Sequence, residues 1–79
     1  MKNERLNYLA SYTGTDGGIL YLLFHADSRA LAWDHARAVG RDVTTVRSVD
    51  SVKRLTVDET HHYLNVIGAG VVAPLKVKP

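Results

Sequence analysis

The chain contains no cysteine, and this absence excludes three kinds of site at once. Disulfide bonds, thiolate zinc ligands and a cysteine nucleophile all require a thiol. A chain of 79 residues, 46% hydrophobic and 23% charged, has the composition of a folded domain with one small core held by packing alone. We expect residues 1–79 to form a single domain with flexible termini at 1–5 and 75–79.

The sequence also lacks long hydrophobic runs and a strong excess of one charge. No apolar run approaches the roughly 20 residues that span a bilayer, and the first residues, MKNERLN, are polar. We therefore predict neither a signal peptide nor a membrane helix, and we expect a cytoplasmic protein. The net charge of +2 permits contact with an acidic surface without indicating nucleic-acid binding.

The clearest helix signal is in residues 27–40, DSRALAWDHARAVG. Asp27 or Ser28 can cap the N-terminus, and Gly40 suits the left-handed residue that ends a helix, so the pattern predicts a helix over about 28–40. At about 100° per residue, small and apolar residues share one face and charged residues lie on the opposite face. The predicted apolar face comprises Ala32, Trp33, Ala36, Val39 and Gly40, and the charged face comprises Asp34, Arg37 and Arg41. We expect the small residues to bring this helix close to a sheet, with Trp33 largely buried against the second strand.

Three segments have the composition of strands. Residues 6–13 and 19–26 flank a loop at 14–18 that is rich in glycine, which predicts an antiparallel hairpin. The second of these segments, ILYLLFHA, is almost continuously apolar, so we predict that it is the central strand. Residues 43–49 are rich in β-branched side chains and predict a third strand.

The C-terminal third is ambiguous. Residues 51–57 suit a further strand, a short helical turn or a bent continuation of the third strand across a bulge, and we favour a further strand. Residues 58–68 suit either a helix capped by Asp58 or a strand. Val71 and Val72 suit a short edge pairing that Pro74 limits. The predicted fold class is α+β: a hairpin and one principal helix packed on a sheet of three to five strands, in the order ββαβ(β).

Four histidines raise the question of metal binding or catalysis. A zinc site without cysteine needs three or four convergent ligands, and the histidines do not show the helical i, i+4 spacing of zinc enzymes. His25, Asp27 and His35 could in principle form an acid–base group, but no nucleophile elbow or carboxylate pair accompanies them. His61 and His62 are adjacent, which would point them to opposite sides of a strand. We predict no metal, no cofactor and no enzymatic activity.

A set of basic residues forms the candidate partner-binding surface. Arg37 and Arg41 lie one helical turn apart near the end of the predicted helix, where positive charge also favours the helix dipole. Strand residues extend this footprint, and the whole set is Arg37, Arg41, Arg47, Lys53 and Arg54. The sequence shows no RNA-recognition consensus, helix-turn-helix or GxxG loop, so we favour a protein partner and keep direct nucleic-acid binding as the alternative. The structural alternative is a solvated surface of mixed charge.

Residues 24–49, FHADSRALAWDHARAVGRDVTTVRSV, resemble the strand, Ala-rich helix and Val-rich strand of small proteins carried by phages and mobile elements. Over residues 6–57 the chain is similar in size and plan to anti-CRISPR proteins. That resemblance implies a non-enzymatic inhibitor, a monomer or small homo-oligomer, that binds a bacterial defence complex such as a type I CRISPR effector. It would block target DNA binding or nuclease recruitment. Anti-CRISPR proteins share no sequence motif, so no functional residue is carried over.

Overall fold

The structure is a computed structural model that describes residues 6–67 and 70–74. The five elements are β1 (Leu6–Gly14), β2 (Ile19–Ala26), α1 (Arg29–Asp42), β3 (Val46–Arg54) and α2 (Val57–Val66). The strands form one antiparallel sheet in the order β2-β1-β3. The predicted α+β class and hairpin are confirmed, but the last element is a helix, so the order is ββαβα. The termini expected to be flexible, 1–5 and 75–79, lie outside the described residues.

Local hydrogen bonds to backbone groups close the turn of the hairpin between β1 and β2. The Gly14 amide donates to the Gly18 carbonyl at 2.7 Å, and the Asp16 carboxylate accepts from the Gly18 amide at 2.9 Å. Gly17 has φ of 88°, a left-handed conformation that glycine adopts without steric cost. The turn predicted from the glycine-rich composition is therefore present.

The prediction that the second strand is central was wrong, because β1 occupies the middle of the sheet. The run of buried residues Leu22, Leu23 and Phe24 has another cause: α1 covers one face of β2, and side chains at the end of α2 cover the other. The outer edge of β2 is partly closed by the C-terminal segment, where Tyr21 and Ala73 exchange backbone hydrogen bonds of 2.8 and 3.0 Å. A continuous apolar run therefore indicates that both faces of a strand are covered, and it does not require a neighbouring strand at each edge.

Helix α1 lies very close to β1. Ser28 caps its N-terminus by accepting a hydrogen bond from the Leu31 amide at 3.2 Å. Gly40 does not end the helix as predicted, because the helix continues to Asp42 and Gly40 is buried within it. A Cβ at this position would lie 3.1 Å from Cε2 of Tyr12, so the glycine permits close approach. The Tyr12 hydroxyl donates to the Ala36 carbonyl at 2.8 Å and anchors the helix to the sheet.

Trp33 and Arg37 lie on the same flank of α1. Trp33 is partly buried and packs against the margin of the core that contains Leu22 and Phe24 of β2. The Arg37 guanidinium carbon lies 5.2 Å from the centre of the Trp33 ring, so the prediction that these two residues lie on opposite faces of the helix was wrong. Residues four apart are neighbours on a helix surface, and the cation is attracted to the face of the indole.

Strand β3 is bulged. Its register against β1 shifts twice, and the extra residues are Arg47 and Asp50. Valines three residues apart would face opposite sides of a regular strand, because side chains alternate. Each bulge adds one residue and returns the next valine to the face beneath α1. Consequently Val46, Val49 and Val52 all pack in the same core.

The ambiguous C-terminal third resolves into the end of β3 and the helix α2. Residues 51–54 continue β3 across the bulge, so the further strand that we favoured does not form. Thr56, and not Asp58, caps α2: its hydroxyl accepts from the Glu59 amide at 3.1 Å, and the Glu59 carboxylate accepts from the Thr56 amide at 3.0 Å. This reciprocal capping box explains why a helix begins here. Neither described helix combines the length and apolar character needed to cross a bilayer.

We predict that replacing Ala36 by leucine lowers the free energy of unfolding by about 1–3 kcal/mol, because Ala36 is fully buried against the sheet and the larger side chain overpacks the contact. Ala38→Leu is the matched control, since Ala38 lies on the exposed side of the same helix. Urea titration of both variants measures the difference. Equal stability of the two leucine variants would contradict the close packing of α1.

We also predict an alkaline loss of stability that depends on Tyr12. Burial raises the pKa of Tyr12 from 10.0 to about 12. The folded state therefore keeps the neutral hydroxyl to higher pH than the unfolded chain, so this contribution to stability is full below pH 10 and falls as pH rises toward about 12. Tyr12→Phe should cost about 0.5–1.5 kcal/mol at neutral pH, through the lost hydrogen bond, and should unfold with a shallower alkaline dependence.

Denaturant titrations at intervals between pH 8 and pH 12 measure this dependence. Tyr63→Phe is the control, because it removes a hydroxyl from a half-buried residue on the other face of the sheet and retains Tyr12. An alkaline profile of Tyr12→Phe as steep as that of the parent chain would show that the buried hydroxyl is not responsible.

Candidate partner-binding groove

A groove with a volume of about 420 Å³ lies between the last turns of α1 and the beginning of β3. We call it the arginine groove, because three of its lining residues are arginines from two different elements. The described residues that line it are Arg37, Gly40, Arg41, Val43, Thr44, Val46, Arg47, Ser48 and Val49. Three of the five predicted partner-binding residues therefore border one concave surface.

Each arginine reaches the groove for a separate structural reason. Arg41 lies in the last turn of α1, where a cation complements the negative end of the helix dipole. Arg47 is the extra residue at a bulge, which re-aims side chains relative to a regular strand. Arg37 is held between the Trp33 ring and the Asp34 carboxylate, whose oxygen lies 3.9 Å from its guanidinium. All three arginines are exposed.

The floor of the groove differs in character from its rim. Val43, Val46 and Val49 are half-buried, and Gly40, within the last turns of α1, is buried. The two remaining lining side chains, Thr44 and Ser48, are exposed and offer hydroxyl groups. None of the nine lining residues is acidic. The groove therefore has a cationic rim, an apolar floor and two hydroxyl groups.

Asp34 does not neutralise the groove. Its contact with Arg37 is long, and both side chains are mostly exposed, at 73% for Asp34 and 57% for Arg37. Exposed pairs of this kind contribute about 0–1 kcal/mol and are screened by salt. Within residues 6–67 and 70–74 the other ion pair joins Lys53 to Glu59. No carboxylate of the described residues lies within 4.0 Å of the guanidinium groups of Arg41 and Arg47.

The remaining two predicted site residues, Lys53 and Arg54, are not in the groove. Lys53 lies on the side of α2, with its ammonium 3.5 Å from the Glu59 carboxylate. The pKa of Glu59 is lowered mainly by the hydrogen bond from the Thr56 amide, with the charge of Lys53 contributing. Arg54 pairs in register with Tyr8 at the far end of β3, about 20 Å along the strand from Arg47. Arg47 and Arg54 therefore lie towards opposite ends of β3, and of the two only Arg47 lines the groove.

A second hollow, of about 240 Å³, contains the residues considered for acid–base chemistry. His25, Asp27 and His35 line it together with Ala26 and Leu31. The His35 ring lies 5.0 Å from the Phe24 ring, so His35 is in contact with the edge of the core. The hydrogen bonds of the described residues do not link His25, Asp27 and His35 into a relay.

His61 and His62 are both exposed on α2. The His62 ring meets the Tyr63 ring edge-on at 5.2 Å. Within the described ranges, no group of three or more His, Cys, Asp or Glu side chains is placed to hold a metal ion. The absence of a metal or cofactor from the working protein stays a prediction.

Sequence reasoning missed the floor of the groove and the role of Trp33. The spacing of Val43, Val46 and Val49 by three residues was the available signal, because that spacing does not fit the alternation of side chains along a regular strand. The i, i+4 relation of Trp33 to Arg37 was a second signal, since such residues share one side of a helix. The floor of the groove also depends on α1 and β3, which meet only in the fold.

Comparison with known proteins found no match: no family model, no curated protein and no solved structure matches this chain.

Proposed function

We propose that this protein acts by binding and not by catalysis, and that the arginine groove docks on an acidic surface of a partner macromolecule. The observation that carries the proposal is the convergence of Arg37, Arg41 and Arg47 on one groove, and none of the described residues that line it is acidic. Like charges held together raise the local potential and attract an oppositely charged partner. Guanidinium groups also bind carboxylate or phosphate through two parallel hydrogen bonds.

The proposed partner is a bacterial protein or ribonucleoprotein complex. Resemblance to anti-CRISPR proteins in size and in the order of the first four elements supports a phage-type inhibitor, acting in the host cytoplasm on a type I CRISPR surveillance complex. Binding would block either target DNA binding or nuclease recruitment. The groove supports the mode of action, docking through positive charge, and the resemblance supports the choice of target.

A nucleic acid is the second candidate partner, and the same arginines favour it. Phosphate oxygens accept hydrogen bonds from guanidinium groups as carboxylates do, and contacts with phosphates dominate the affinity of many nucleic-acid-binding proteins. This alternative predicts binding that weakens steeply with salt. The two candidates are therefore separable by experiment.

We predict that the double substitution Arg41→Glu with Arg47→Glu weakens partner binding at least 100-fold while changing the free energy of unfolding by less than about 1 kcal/mol. Both side chains are exposed, so reversal removes charge complementarity with little effect on packing. The matched control is Arg29→Glu with Arg54→Glu, which makes the same change in net charge at two exposed positions outside the groove. Thermal melts and binding assays on the three proteins measure both effects.

Retained binding by the Arg41/Arg47 variant would remove the groove from the site. Equal losses in both double variants would show that net charge, and not the groove, determines binding. If the parent protein binds free DNA with an affinity that falls with salt, and the Arg41/Arg47 variant loses that affinity, the nucleic-acid alternative is favoured.

The choice of target has its own test. We expect the tagged protein to retain a purified type I CRISPR surveillance complex on a column and to reduce its target DNA binding or nuclease recruitment. The Arg41/Arg47 variant should do neither. A panel of type I complexes that all ignore the parent protein would overturn the inhibitor proposal and leave the docking proposal to be tested with other partners.

A further inference from the structure

The floor of the arginine groove restricts the kind of partner that fits it. Val43, Val46 and Val49 present half-buried aliphatic side chains below a rim of guanidinium groups. Covering this apolar surface with another apolar group stabilises a complex, in proportion to the area removed from water. A partner that offers charge alone would leave this floor in water.

The lining also lacks the feature by which proteins hold unpaired bases. None of the nine lining residues is aromatic, whereas single-stranded nucleic acids stack their bases on aromatic side chains. Trp33 is adjacent to the rim, but the guanidinium of Arg37 lies over its ring at 5.2 Å. A nucleic acid would use the rim of the groove and leave its floor empty.

The volume of about 420 Å³ suits a short segment and not a folded element. Pockets that hold small molecules span about 300–1,000 Å³, and this groove lies near the lower end of that range. It therefore has room for roughly two or three side chains of a partner. The hydroxyl groups of Thr44 and Ser48 add hydrogen-bonding positions to the lining of the groove.

We propose that the arginine groove binds an extended acidic segment of a partner protein in which one aliphatic side chain, flanked by carboxylates, enters the valine floor. This inference rests on the proposed function and specifies the partner as a protein. The carboxylates on either side of the aliphatic residue pair with Arg37, Arg41 and Arg47 at the rim. The aliphatic residue supplies the selectivity that charge alone does not.

Two synthetic peptides test the inference on the full chain. The first is Glu-Asp-Leu-Asp-Glu with both ends blocked, and the second replaces its leucine by serine and keeps every charge. NMR titration of the isotopically labelled protein gives the affinity for each peptide and the residues that shift. We expect the leucine peptide to bind at least tenfold more tightly, a difference of about 1.4 kcal/mol, with shifts at Val43, Val46 and Val49.

Protein variants locate the effect. Val43→Ser should reduce the preference for the leucine peptide at least threefold, because it makes the floor polar. Val57→Ser is the matched control: Val57 is 69% exposed and does not line the groove, so the preference should stay unchanged. If the parent protein binds the two peptides with equal affinity, the inference is overturned. This result does not depend on whether any variant folds.

The outcomes separate this inference from the proposed function. If both peptides bind equally and the Arg41/Arg47 reversal abolishes both, the apolar floor is not used and docking by charge stands. If neither peptide binds, the inference fails, and the reversal experiment on the captured partner remains the test of the groove. A thymidine decanucleotide that binds the groove more tightly than either peptide would overturn both in favour of nucleic acid.

Discussion

The contact between α1 and β1 at Tyr12 is the constraint on which the rest of the structure depends. The Tyr12 ring is fully buried, its hydroxyl donates to the Ala36 carbonyl, and the absent side chain of Gly40 leaves room for its edge. This hydrogen bond is buried, so sliding the helix along its axis or lifting it from the sheet would leave the Tyr12 hydroxyl without a hydrogen-bond partner. The bond therefore fixes the helix in both directions. A small core without cysteine gains its specificity from this kind of contact.

That contact also determines where the binding surface can be. Once α1 is held at Ala36 and Gly40, its last turns lie beside the first residues of β3. Arg41 and Arg47 then line the same groove. The bulge at Arg47 completes the arrangement by giving β3 an extra residue at this point. The stabilising core and the candidate site are therefore adjacent parts of one packing arrangement, with valines facing the core on one side and the groove on the other.

The character of the groove connects the two proposals. Exposed arginines contribute most to binding when partner groups displace water from around them, and an apolar floor promotes that displacement. The cationic rim attracts and orients an acidic segment, whereas the floor selects among acidic segments by shape and polarity. The hollow at His25 and His35 lies beside the other end of α1 and has a mixed lining of two imidazoles, one carboxylate and aliphatic groups. The arginine groove is the stronger candidate because its charge has one sign.

The local sequence alone determined the hairpin, the position of α1 and the small residues beneath it, because turn chemistry, capping and helical periodicity act over a few neighbouring residues. Only the tertiary structure decided that β1 is central, that Gly40 serves close approach and that Lys53 and Arg54 lie away from the groove. Strand order and bulges depend on pairing between distant segments, and such pairing leaves little trace in the local pattern. The candidate site was half predictable for the same reason: the two helical arginines follow from their spacing, whereas Arg47 and the valine floor join them only after β3 has packed on β1 beneath α1.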